Sequence, residues 1–290
     1  MAISIDDIKA LRAKTLAGIS HCKKALEETN GNFEEAEAYL KKKGLLIASN
    51  KSDRETSEGL IGVSIRDGYG VILELNSETD FVAKNEKFQS LLNNIIEVAH
   101  ANHPTTLDAF KALPMGQSSV AEEIAQHIAI IGENIQLSRM ATMTVEKGVI
   151  ASYVHAACVP GMGKVAAMVS LEADISDNSK LQELGKNIAM HIVASKPLAI
   201  SVEKLDPQLV AKEKALIEEQ LQSSNKPENV QQKIAEGKIN KYYSEVVLLQ
   251  QACVMDDKIT ISELIEKYSK ELQTKIEISD YKLFALGDSK

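Results

Sequence analysis

Asp80 and Phe81 carry the clearest chemical signal in the chain, within the run ELNSETDFVAKN from Glu74 to Asn85. Val71, Leu73 and Leu75 alternate with polar neighbours, as in a half-buried strand. From Phe81 the apolar residues repeat at helical spacing through Phe88, Leu91, Leu92, Ile95 and Val98. The crossover predicts Asp80 and Phe81 on a first helical turn at the rim of a sheet, where a rigid scaffold presents them. Ser77 or Thr79 is the expected helix cap, and Ser77 with Asp80 has the spacing of a capping box. A ring and an acid so placed offer non-covalent chemistry: apolar area to bury and a negative charge. The residues alone leave a plainer reading open, a core ring and a carboxylate that offsets the helix dipole.

The other reactive side chains do not converge. His100 and His103 stand three apart just before Pro104 with no further ligand near in sequence, which argues against zinc. His21 adjoins Cys22, but neighbours on a helix point in different directions, whereas a nucleophile and its base must face each other. Gly161 and Gly163 lack the lysine and serine of a phosphate loop. Cys22, Cys158 and Cys253 are too scattered for a disulfide framework and read as buried free thiols. No enzymatic activity, catalytic residue, metal or cofactor is expected.

Composition narrows the partners. The 290 residues are 44% hydrophobic, enough for two domains, and carry a net charge of −8 with a pI near 5.4. That balance speaks against direct binding of nucleic acid, which needs clustered Lys and Arg. No run approaches the roughly 18 apolar residues of a membrane span. The opening MAISIDDIKA is acidic early, which reads as cytoplasmic.

The elements that must position Phe81 follow from periodicity and punctuation. Residues 1–48 read as three short helices punctuated by Gly18, Gly31 and Gly44. Their apolar stripes are Ile5, Ile8 and Leu11, then Ile19, Cys22, Ala25 and Leu26, then Phe33, Ala36, Tyr39 and Leu40. Residues 49–57 are polar and read as a linker. Beyond them lies a diverged repeat of about 89 residues, Glu58 to Phe81 echoed by Lys147 to Ser176. Each copy reads as strand, glycine turn, strand and helix, and each closes with another helix and strand. The fold class expected is α+β, with two related lobes, 58–145 and 146–286, each a three-stranded antiparallel sheet backed by helices. The second lobe carries an inserted helical hairpin over about 206–245, with Ser224 to Pro227 as its turn and Gly237 interrupting its second helix. A helix and strand over about 257–286 complete it.

The run Glu74 to Asn85 resembles the signature of the elongation factor Ts family. LRAKTLAGISHCKKAL, Leu11 to Leu26, resembles that family's first helix, turn and second helix, although Leu16, Ser20 and His21 depart from its usual residues. The resemblance covers essentially the whole chain. It implies a ubiquitin-associated-type (UBA-like) bundle at residues 1–48 and a coiled-coil arm at the hairpin. It further implies a guanine-nucleotide exchange factor acting on elongation factor Tu, GDP-bound or nucleotide-free. Thr79, Asp80, Phe81 and Val82 would then enter a crevice beside the partner's Mg²⁺ and phosphate site, dislodge the metal and release GDP. Arg12, Ile19, Ser20 and His155 are further partner contacts by the same resemblance, and His191 matches a family position. A homodimer or a 2:2 complex stays open. An alternative of a different class is a UBA-type adaptor whose lobes are only a scaffold.

Overall fold

The computed structural model describes residues 3–15, 17–222 and 227–288, so Leu16 and most of the expected Ser224 to Pro227 turn lie outside it. The first three helices are α1 (Ile5–Thr15), α2 (Ile19–Glu28) and α3 (Phe33–Ser49), closed around Leu11, Cys22, Ala25, Leu26 and Ala36. Of the expected apolar stripes, Ile5 and Ile19 are exposed. Asn32 starts α3 by accepting from the backbone of Glu34 and Glu35.

Next, β1 (Glu58–Arg66) and β2 (Tyr69–Ser77) form a hairpin whose two turn residues, Asp67 and Gly68, both adopt positive φ. A single turn α4 (Asp80–Ala83) precedes α5 (Glu86–Asn102) and α6 (Leu107–Ala112). The small hairpin β3 (Pro114–Met115) and β4 (Ser118–Ser119) leads into α7 (Val120–Ile131) and β5 (Ile135–Thr144). The second copy repeats the plan: β6 (Gly148–His155), β7 (Met162–Gly163), β8 (Val165–Glu172) and α8 (Ser179–Ser195). After the inserted helices α9 (Pro207–Gln222) and α10 (Glu228–Val246) come the hairpin β9 (Ala252–Cys253) and β10 (Asp256–Thr260), then α11 (Ile261–Leu272) and β11 (Glu277–Ala285). The duplication reaches the details. Both α7 and α11 open with a capping box, Ser119 with Glu122 and Thr260 with Glu263. Both α5 and α8 end on a left-handed residue, His103 and Lys196, just before a proline.

The sheets correct the expected pattern in two ways. The first has four strands, ordered β5-β2-β1-β7, because the second copy's loop donates β7 to the free edge of β1. The second is three-stranded, β11-β8-β6. Moreover, the sheets stack face to face, Ile61, Val63, Ile72 and Met143 against Ile150, Ala166, Met168 and Phe284. Helices α5 and α7 cover the outer face of one, α8 and α11 that of the other. Strand β2, read as half-buried, is therefore buried at every residue.

Glu74 shows what this stacking demands. It points into the layer between the sheets with no solvent exposure, where a lone carboxylate would be very costly. Arg139 Nε donates to it at 2.6 Å, Asn76 Nδ2 at 2.9 Å and the Gly287 amide at 3.2 Å. The same guanidinium donates to the Ala285 carbonyl at 2.7 Å and lies 4.3 Å from the Phe284 ring centroid. One ion pair of the first sheet is thus tied to the last strand of the second.

The bundle is also fastened down. Helix α3 runs straight through Gly44, expected as a helix break, and packs it on α7, where a Cβ would lie 3.7 Å from Gln126 Cα. Lys41 pairs with Glu122 at 2.9 Å, and Asn134 Nδ2 donates to the carbonyls of Ser52 and Arg54, so the expected linker is tacked to the first lobe. In the inserted pair, α10 continues unbroken through Gly237 and fully buries no residue, while α9 buries Ile217 and Leu221. Ala199, Leu205 and Val247 anchor the base of the pair. Among the described residues no helix is long and apolar enough to cross a membrane.

His191, which matches a family position, is enclosed at 1% exposure. The Val254 amide donates to its Nδ1, so its Nε2 carries the proton and donates to Gln251 Oε1 at 2.9 Å. Gln251 in turn donates to the carbonyls of Ser195 and Glu245, joining α8 to the base of α10.

Two predictions follow from these buried groups. Arg139→Ala strands Glu74 without its cation and is expected to lower unfolding free energy by about 3–5 kcal/mol in urea denaturation, with the double change Glu74→Met/Arg139→Met losing less. Burial holds the His191 imidazole below its usual pKa. Between that depressed value and the ordinary ~6.5 the unfolded chain binds a proton that the folded chain refuses, so stability falls as pH drops through this window. Denaturation midpoints should decline from pH 7.5 to 5.5, and His191→Gln should make that decline shallower.

Candidate functional site

Where β2 leaves the covered layer, the chain turns sharply and is caught by the segment that follows α7. The Ser77 hydroxyl donates to the Thr79 carbonyl at 2.9 Å, so it does not cap the helix and the expected capping box with Asp80 is absent. Thr79 occupies the cap position, but its hydroxyl is turned away too, donating at 2.7 Å to Glu133 Oε1 while its amide donates at 2.9 Å to Oε2. In return Glu78 Oε1 accepts from the Asn134 amide at 2.6 Å. Two stretches of chain thereby hold each other through reciprocal carboxylate contacts, which are stronger than neutral hydrogen bonds.

The turn that emerges is α4. Val82 and Ala83 plug into the first lobe's core beside Phe88 and Leu92. Helix formation pauses at Lys84, and the Asn85 side chain starts α5 by accepting from the Lys87 amide, so the expected single helix is two. Phe81 lies on the opposite side of this plug with 78% of its surface exposed. Of the two readings open at the sequence level, the presented ring is the one observed.

Asp80 beside it pairs with Lys84 at 2.7 Å, and the Lys84 ammonium lies 5.8 Å from the Phe81 ring centroid. The hydrogen bond from Lys84 holds the Asp80 carboxyl below the usual carboxylate range, against a smaller opposing effect of desolvation. Lys164 adds to this field while pairing with Glu58 at 2.9 Å. Since Lys164 closes the loop that carries β7, the second lobe reaches the edge of the Phe81 turn. His155 adjoins the β7 loop: it ends β6 exposed, its carbonyl abuts Gly163, and its Nδ1 lies 3.5 Å from the Tyr153 hydroxyl. Cys158, expected to be buried, is exposed on the same loop, while Cys22 and Cys253 are buried.

Arg12, Ile19 and Ser20 are exposed on the three-helix unit. Ile19 presents 58% of its surface at the first position of α2. Among the described residues no hydrogen bond or ion pair joins these three to the Phe81 turn. His100 and His103 pack on Tyr69, His103 stacked at 4.0 Å and His100 edge-on at 5.5 Å. No group of three or more His, Cys, Asp or Glu that could hold a metal occurs among the described residues. The contributors that the sequence reading missed are Glu78, Glu133, Asn134, Lys84 and Lys164. Glu78 and Lys84 lie within the motif itself, but nothing local marks Glu133, which is 54 residues from its partner Thr79.

Comparison with known proteins addresses the whole chain. Residues 78–288 match the family model described as elongation factor TS. Over 290 residues, covering all of both chains, the sequence is 44% identical to elongation factor Ts of Wolbachia pipientis wMel. It is 43% identical over 288 residues to that of Ehrlichia chaffeensis, covering 99% of this chain and 100% of the relative. Identity to that of Rickettsia felis is 44% over 287 residues, covering 99% of this chain and 92% of the relative. A matched range that holds the presented turn and the whole second sheet, with identity to the relatives running from end to end, makes this chain a member of the elongation factor Ts family of translation elongation factors.

Proposed function

We propose that the protein is a guanine-nucleotide exchange factor for elongation factor Tu, binding its GDP-bound and nucleotide-free forms. The observation that carries this reading is Phe81, a large apolar ring presented to solvent on a turn whose base is fixed. An exposed phenyl ring gains about 1.5–3 kcal/mol when a partner buries it, enough to hold apart elements that close around a bound ion. Asp80, kept ionised, brings a negative charge close to the partner's Mg²⁺, whose octahedral shell tolerates little distortion. With its phosphates less neutralised, GDP departs. Linkage makes the effect mutual, because a factor that weakens GDP is weakened by GDP to the same degree. No covalent step is involved, and the role is not enzymatic in the usual sense.

Thr79 and Val82 serve this contact by anchoring the turn on which the ring stands. The unit at 1–48 acts as a UBA-like docking module offering Arg12, Ile19 and Ser20, the lobes at 58–145 and 146–286 form the body, and His155 contributes from the second lobe. The helical pair at about 206–245, with its thin apolar seam, is an arm for the partner or for a second copy. The setting is the cytoplasm.

The test is release of a fluorescent GDP analogue preloaded on elongation factor Tu. Phe81→Ala should leave the melting temperature nearly unchanged, since the ring is largely exposed, and reduce the stimulated release rate roughly tenfold or more. Undiminished stimulation by the folded variant would overturn the proposal.

A further inference from the structure

We infer that Glu133 is a positioning residue for Phe81, fixing the presented ring in one place before a partner arrives. The inference rests on the exchange reading above and deepens it. Helix α4 has four residues and no side-chain cap, and so short a helix cannot hold its own shape in water. Its N-terminal end is defined by the two bonds that Thr79 donates to the Glu133 carboxylate. Val82 and Ala83 secure the other end in the core. Between these two attachments Asp80 and Phe81 have little freedom left.

The duplicated lobe is an internal control. Asn76 faces Gln136 in the first sheet as Glu172 faces Glu277 in the second. Helices α7 and α11 each end one residue before a left-handed cap, Gly132 and Gln273. By that register Glu133 corresponds to Thr274 and Thr79 to Ile175. In the second lobe Thr274 instead donates its amide to the Ser269 carbonyl at 3.1 Å, and Ile175 packs on the core. No helical turn precedes α8 there, and residues 173–178 are irregular. The same strand-to-helix crossover is therefore made without any carboxylate clamp. The clamp occurs only in the copy that presents an aromatic ring, which ties Glu133 to presentation and separates it from the needs of the fold.

Four full-length proteins test this in the GDP-release assay: Phe81→Ala, Glu133→Ala, Glu133→Gln and the double variant Phe81→Ala/Glu133→Ala. Glu133→Ala is expected to lower the maximal release rate roughly tenfold at saturating exchange factor, with the affinity of the complex little changed, because a misplaced group loses rate more than binding. Glu133→Gln keeps one acceptor for Thr79 and should fall between Glu133→Ala and the native protein. Adding Glu133→Ala to Phe81→Ala should cost clearly less than Glu133→Ala costs the native protein, since once the ring is gone only Asp80 is left to position. Fully additive losses in the double variant, or a Glu133→Ala variant with native release while Phe81→Ala is impaired, overturn the inference alone. Native release by Phe81→Ala overturns the exchange reading and this inference with it. If Glu133→Ala does not fold, Glu133→Gln carries the same comparisons.

Discussion

Burial of β2 on both faces is the constraint from which the rest follows. A strand sandwiched between helices and a second sheet cannot carry a lone charge, yet Glu74 stands in it. Arg139 from the neighbouring strand and the backbone at Gly287 meet that demand. Replacing the ion pair by apolar residues would remove the demand along with its solution. Keeping it links the first sheet to the final strand, so the two lobes are locked at the base of the segment that presents Phe81.

Rigidity at that base bears on the exchange role proposed for Phe81. A ring that waits for a partner in the open costs some solubility and contributes nothing to folding, and a loose ring would lose freedom on binding that a fixed one has already given up. The turn is fixed by three unrelated devices. Glu133 and Glu78 exchange charged hydrogen bonds with the facing chain, Val82 and Ala83 fill the core, and Lys84 pairs with Asp80 across the turn. The duplication supplied two similar lobes, and only one acquired all of these.

Much of this was legible in the residues. Helical and strand periodicities placed most of the elements, because each has one face that must be buried and the apolar spacing records which. The switch of period after Leu75 marked the place where a side chain would emerge from the sheet, and the Asp67-Gly68 pair marked the tight hairpin. The capping boxes are local as well, since Ser119 and Thr260 satisfy backbone amides only three residues away. Local reasoning erred at Ser77, whose hydroxyl found a nearer carbonyl, and at Gly44 and Gly237, where a helix tolerates glycine when neighbours or length support it.

The sequence by itself determined the α+β class, the repeat, and the presence of an acid and a ring at a strand-to-helix junction, since these depend on interactions within a few residues. Tertiary structure alone decided that the sheets stack, that a loop of the second lobe completes the first sheet, and that Phe81 faces outward. Each of those outcomes is set by contacts between residues tens to hundreds of positions apart. Glu133 shows the difference most plainly. As one acid among many in a charged chain it carries no mark, and it becomes the holder of the Phe81 turn only when α7 brings it beside Thr79.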